Sequence, residues 1–181
     1  MARLIIASDI HGDAETCARL VDIYRESGAE RLVLLGDLLY HGPRNDLPAG
    51  YAPKKVIELL NSLKNDILAV RGNCDTEVDQ MVLQFPILAD YAYISVDGLR
   101  IFATHGHNFN TTKLPPLAKG DILLHGHTHL TVCEEGDGYV YMNPGSLALP
   151  KEGTHHGYMT YEAGVFTWKT LDGDVWKEYS V

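Results

Sequence analysis

A chain of 181 residues that is 45% hydrophobic and 22% charged is long enough to bury a core as one domain, which argues against disorder. Its formal net charge is −9 and it carries no basic run, so long nucleic acid is not expected as a partner, whereas a small phosphorylated substrate is compatible once bound cations offset that charge. Cys17, Cys74 and Cys133 are odd in number and irregularly spaced, which fits a reducing cytoplasm rather than a disulfide framework.

In chain order, residues 4–7 read as a strand, too short an apolar run before Asp9 for a signal peptide, and no other run reaches membrane length. Cys17, Leu20, Val21 and Tyr24 then repeat at helical spacing. Residues 32–35 read as a second strand. Residues 45–53, holding two prolines and Gly50, read as a long surface loop. Pro53 stands near the start of a helix whose face is Val56, Leu59, Leu60 and Leu63. A third strand at 67–70 precedes a third helix marked by Val78, Met81, Val82 and Phe85. Strands joined by crossover helices imply a mostly parallel central sheet.

Beyond Ala89 the helical period disappears. Residues 91–96 and 99–104 flank Asp97-Gly98, a hairpin signal. Residues 122–124, 139–142, 158–161, 165–171 and 175–179 add strands, with turns at Ala163-Gly164 and Gly173. No linker sets off a second domain, so residues 1–181 read as a single domain of two packed sheets with helices outside.

The strand ends carry the chemistry. The run at 4–7 leads into Asp9 and His11, and that at 32–35 into Gly36-Asp37. The run at 67–70 leads into Gly72-Asn73-Cys74-Asp75, that at 101–103 into His105-Gly106-His107, and that at 122–124 into His125-Gly126-His127-Thr128-His129. Ligands of open α/β sheets bind outside the carboxyl ends of strands, so strands sharing one sheet would gather these donors along one rim. Each cluster alone is commonplace; all of them in order, each after an apolar run, point to metal. Crowded carboxylates and imidazoles repel as they charge, and divalent cations relieve both.

This order, Asp-x-His, Gly-Asp, Gly-Asn-x-Asp, His-Gly-His and Gly-His-Thr-His, resembles the calcineurin-like metallophosphoesterase superfamily. His41-Gly42-Pro43-Arg44-Asn45, Gly50-Tyr51-Ala52-Pro53 and Asn143-Pro144-Gly145-Ser146 look like its small bacterial YfcE-like phosphodiesterases. The resemblance implies a four-layer α/β/β/α sandwich with two packed mixed sheets. It also implies two divalent cations per chain. Asp9, His11, Asp37 and His129 would hold one; Asp37, Asn73, His105 and His127 would hold the other, with Asp37 bridging. Mn²⁺ is favoured by the resemblance, and Zn²⁺, Fe²⁺ or Co²⁺ also suit nitrogen and oxygen donors. Such a pair clamps a phosphoryl group and activates water, so the reading is a phosphodiesterase for small esters. A phosphomonoesterase or nuclease would use the same site, and a scaffold of the same fold, like the retromer subunit, would not need all seven donors.

Asp37, Asn73, Cys74, Asp75 and His107 form the candidate catalytic group. The superfamily usually reads Gly-Asn-His-Asp; here Cys74 replaces the histidine that assists the leaving group, and Asp75 is placed to orient a donor at 74. Cys74 reads equally as a small buried filler. His107 reads as a phosphate contact or an outer-shell partner of the metals. Arg44, His41 and Asn73 are the candidate substrate-binding residues, with a surface role open for the first two. A homo-oligomer stays open.

Overall fold

A computed structural model describes residues 3–181. Its elements are β1 (Arg3–Ala7), α1 (Ala14–Ser27), β2 (Arg31–Leu34), α2 (Pro53–Asn61), β3 (Ile67–Ala69), α3 (Glu77–Val82), β4 (Tyr91–Val96), β5 (Leu99–Thr104), β6 (Asp121–Leu124), β7 (Thr131–Glu135), β8 (Tyr139–Pro144), β9 (Gly157–Glu162), β10 (Val165–Thr170) and β11 (Val175–Ser180). They form an α/β sandwich of two mixed sheets, ordered β11-β10-β9-β1-β2-β3 and β4-β5-β6-β8-β7. Strands β1, β2 and β3 run parallel, as do β5, β6 and β8; the remaining pairings are antiparallel.

Strand alternation makes three layers of core. Ile5 and Ala7 of β1 face outward under α1 and α2, where Cys17, Leu20, Val21, Tyr24, Val56 and Leu60 cover them. Leu4 and Ile6 face inward against Ile101, Ile122, Leu124 and Met142 of the other sheet. The indole of Trp168 on β10 crosses this interface and donates to the carbonyl of Asn143 on β8 at 2.8 Å. The fourth layer is thin. Phe102, Leu123 and Tyr141 of the second sheet are covered by Phe109 and Leu117 from an irregular segment, rather than by a helix.

Local chemistry accounts for the helix ends. The Asp13 carboxylate accepts from the amides of Glu15 and Thr16, and α1 stops at Gly28, whose φ is 68°. Pro53 opens α2, where its fixed φ suits the first turn. The hairpin at Asp97-Gly98 forms as expected, both residues having positive φ.

The structure adds to the sequence reading or departs from it in three places. The five strands whose ends carry the polar clusters do not share one sheet: β1, β2 and β3 belong to the first and β5 and β6 to the second, and the two sets of ends meet at one edge of the sandwich. Strand β7, Thr-Val-Cys-Glu-Glu, escapes a pattern reading because it is an edge strand with one pairing partner and little buried surface. The third helix forms, but its apolar face is not core: Val78 is 69% and Met81 83% exposed. Phe85, taken as its fourth face residue, lies past the helix end and is buried in the irregular segment that follows. The Gln80 side chain bonds the backbone of Leu83, Phe85 and Ile87 and so turns the chain there.

Met81→Ala should therefore change stability by no more than about 0.5 kcal/mol. Leu20→Ala, in the core under α1, should cost about 2–5 kcal/mol. Urea denaturation of both variants checks this; comparable losses would contradict the exposed placement of α3.

Candidate metal centre

The expected ligands are brought together by turns that ordinary residues avoid. Asp9 (φ 57°), His11 (48°), Asp37 (57°), His127 (68°) and His129 (63°) all take left-handed backbone conformations. Outside glycine this costs of order 1–2 kcal/mol per residue. Neighbouring chain holds them there: the Asp9 amide donates to the Gly36 carbonyl (3.1 Å) and the His11 amide to that of Asp37 (2.9 Å). Gly72 is required by close approach, since a side-chain carbon there would run into the amide and carboxylate of Asp37.

Three imidazoles are keyed by backbone carbonyls. Nδ1 of His11 donates to Tyr40 O (2.8 Å), that of His105 to Leu35 O (2.7 Å) and that of His129 to Leu149 O (2.7 Å). A carbonyl only accepts, so Nδ1 carries the hydrogen and each neutral ring turns the Nε2 lone pair inward. There the lone pairs of His11 and His129 meet only other acceptors, and that of His105 meets two acceptor oxygens and a ring nitrogen of His127. His11 Nε2 and His129 Nε2 are 3.1 Å apart, and Asp9 Oδ1, a buried oxygen with no hydrogen-bond partner, lies 3.5 and 3.3 Å from them. His105 Nε2 faces Asn73 Oδ1 (3.1 Å), His127 Nδ1 (3.1 Å) and Asp37 Oδ2 (3.4 Å). Asp37 Oδ2 also lies 3.8 Å from His11 Nε2, so one carboxylate oxygen borders both groups. The donor atoms of Asp9, His11 and His129 lie within 4.8 Å of one another, as do those of Asp9, Asp37 and His105. Facing lone pairs repel unless a proton or cation stands between them, and this donor set fits divalent cations.

Without a cation, protons must serve. Burial opposes ionisation of Asp9, but the nearby His11 and His129 rings and the charge of His105 hold the carboxyl well below the usual range. Burial likewise opposes the charge on His105, yet the Asp37 bond and the charges of Asp9 and Asp37 raise it to about 9. Burial and the charge of His105 lower His127 to about 4.

Residues around the donors hold them rigid. Asp75 accepts from the amides of Asp37 (2.8 Å), Leu38 (2.9 Å) and Gly72 (2.8 Å). Its oxygens thus fix the turn carrying Asp37, rather than orienting whatever stands at position 74. The pattern reading missed Asn143 and Ser146 as supports, although their motif was visible. The Asn143 amide donates to Gly126 O, Thr128 Oγ1 and Tyr141 Oη at 2.9–3.0 Å, fixing the loop of His127 and His129. The Ser146 hydroxyl donates to Asp9 O at 2.9 Å.

The other candidates fall in different places. A cavity of about 380 Å³ is lined by Asp37, Asn73, Cys74, His127, His129 and Arg44, together with Lys151, a cation that pattern reading did not single out. His41 packs edge-on between the rings of Tyr40 and Tyr51 instead. His107 is half-buried, its ring 5.4 Å from that of His105, and burial and His105 lower its pKa. Cys74 Sγ comes within 4.8 Å of donor atoms of His11 and Asp37, closer to the metal donors than its position in the motif suggested. Burial and Asp37 push the Cys74 thiol up to about 12, so it stays protonated and neutral. A larger cleft of about 660 Å³, lined by Glu15, Asp172 and Trp176 among others, contains none of the expected metal ligands.

Fold and site together define a phosphoesterase of the metal-dependent kind. Residues 2–164 match the calcineurin-like phosphoesterase superfamily domain, and the chain belongs to that superfamily. It is 49% identical over 158 residues to the phosphodiesterase YfcE of Escherichia coli, covering 87% of this chain and 86% of that protein. A phosphodiesterase of Methanocaldococcus jannaschii is 27% identical, with 96% and 94% covered. The structure of E. coli Yfce, a phosphoesterase, superposes with a TM-score of 0.96 at 45% identity, over 98% of both chains.

Metal binding needs His105 neutral, whereas without metal it holds its proton up to about pH 9. Metal uptake at pH 7 should therefore release protons, and affinity should weaken as pH falls below about 9. Calorimetric titration with Mn²⁺ in two buffers of different ionisation enthalpy should give different apparent heats; identical heats would contradict this.

Proposed function

We propose that the protein hydrolyses small phosphodiesters at a pair of divalent cations. Asp9, His11, Asp37 and His129 hold one cation, Asp37, Asn73, His105 and His127 hold the other, and Asp37 is shared. The observation that carries this reading is the facing of acceptors without donors on both sides of Asp37 Oδ2. Such a pair, when bound, neutralises charge on the phosphoryl oxygens and supplies nucleophilic water near neutral pH. Mn²⁺ is the favoured metal, and Zn²⁺, Fe²⁺ and Co²⁺ also suit the donors.

The chain's own groups divide the work. Asp9, His11 and His129 are buried and fix one end of the site. Asn73 and His127 are more open to solvent and stand on the side from which substrate enters. Arg44 and Lys151 line the same cavity and offer positive charge to the non-reacting phosphate oxygens. His107, beside His105, acts in the outer shell. The cavity of about 380 Å³ and the net charge of −9 favour small esters over long polymers. The 49% identity to a phosphodiesterase supports diesters as the substrate class. Residues 1–181 act as one domain. No helix of the described residues is long and apolar enough to cross a membrane, and the three cysteines are free, in keeping with a cytoplasmic setting.

Reconstituted protein should hold two adjacent cations per chain by elemental analysis and anomalous scattering. Asp37→Asn would turn an amide toward His11 and His105. It should lower diester turnover by more than roughly a hundredfold, the upper range for an outer-shell loss, with the circular dichroism spectrum unchanged. Near-normal turnover in limiting metal would refute the bridge.

A neutral thiol at position 74 is a poor proton donor, so the leaving oxygen must depart largely unassisted. Rates across a graded series of diesters should rise steeply with leaving-group acidity, and Cys74→Ser should show the same slope. A flat series in the wild-type protein would mean that another acid serves.

A further inference from the structure

The apolar face of α3 holds no buried residue, with Val78 69% and Val82 43% exposed. Across from it stand Tyr40, Tyr51 and Ile57, and the space between is a cleft of about 370 Å³. That volume lies within the roughly 300–1,000 Å³ of small-molecule sites. Two observations tie the cleft to the metal centre. Cys74 lines both this cleft and the cavity holding Asp37, Asn73, His127 and His129, so the two spaces meet at one side chain. The carbonyl of Tyr40 also accepts the Nδ1 hydrogen of His11, which fixes one wall relative to the donors.

The chemistry of the walls narrows the occupant. His41 packs edge-on against both tyrosines, with ring centroids 4.7 and 5.5 Å away, and so holds the two rings in place. Thr76 and Asp79, which also line the cleft, bond each other at the α3 N-terminus through a capping box, and Val78 and Val82 supply the apolar part of that wall. Aromatic and β-branched walls, with Lys54 and the two tyrosine hydroxyls as further polar groups, suit a flat aromatic ring.

We propose that this cleft takes an aromatic substituent of the phosphodiester whose phosphate sits at the metal centre. The assignment rests on the phosphoesterase reading of that centre and adds a substrate class, aryl esters. Phenylphosphonate and methylphosphonate share a phosphoryl head and differ only in the group offered to the cleft. Calorimetry on the metal-reconstituted protein should find the phenyl compound bound tighter, on the order of tenfold or more. Val78→Asp and Val82→Asp, both at exposed positions, should each erase that preference and leave methylphosphonate affinity unchanged. Equal affinities in the wild-type protein, or a preference that survives both variants, would overturn the assignment. Failure of both phosphonates to bind would overturn the phosphoryl reading and this assignment with it. A dimer in sedimentation that dissociates in Val82→Asp would give the face to a second copy and overturn it as well.

Discussion

Lone pairs aimed at lone pairs are the constraint on which the rest of this structure depends. His11, His129 and Asp9 point acceptors at one another across 3.1–3.5 Å, and His105, Asn73 and Asp37 do the same alongside. Repulsion of this kind inside a protein is tolerable only with positive charge between the groups. Protons supply it when metal is absent, as the raised His105 and depressed Asp9 indicate. The fold must therefore hold each donor against the tendency to turn away, and much of the surrounding architecture serves that end.

The holding is done mostly by backbone. Three ring orientations are set by carbonyls that end strands or loops, namely Leu35, Tyr40 and Leu149. Asp75 spends its carboxylate on three amides, and that fixes Asp37 at a positive φ it would not otherwise keep. Asn143 ties the histidine loop of the second sheet to β8, while Ser146 reaches back to Asp9 on the first. The site thus spans both sheets, and the inter-sheet core of Ile6, Ile101, Ile122 and Met142 acts on its geometry at a distance. Each local strain is small beside the summed packing that opposes it.

These relations explain which features could be read from residue order and which could not. The donors were legible because each follows an apolar run, and a chain that ends a buried strand on Asp, Asn or His is placing chemistry at the sheet's edge. Helices α1 and α2 were legible through their 3.6-residue period, and α2 also through its Pro53 start. The left-handed conformations of Asp9, His11, Asp37, His127 and His129 were not, because these residue types do not announce positive φ as glycine does. Nor was the division of the five strands between two sheets, since parallel pairing leaves no mark in sequence that says which strand is the neighbour. Asp75 illustrates the same limit: it sits beside Cys74 in the chain, yet its partners are backbone amides, which have no sequence signature.

Helix α3 is the informative failure. Val78, Met81 and Val82 recur as core residues do, and the helix they predict exists, but the face is left in water beside Tyr40 and Cys74. Where local pattern and burial disagree, the usual physical reasons are function or a missing partner. Here the disagreement occurs next to the cavity lined by Asp37, Asn73, His127 and His129, beside the neutral thiol of Cys74. A site without a strong acid at position 74 gains most from esters with acidic alcohols, and aryl alcohols are both acidic and flat. The exposed face and the neutral thiol thus bear on one proposed chemistry, and Cys74 is the side chain that lines both spaces.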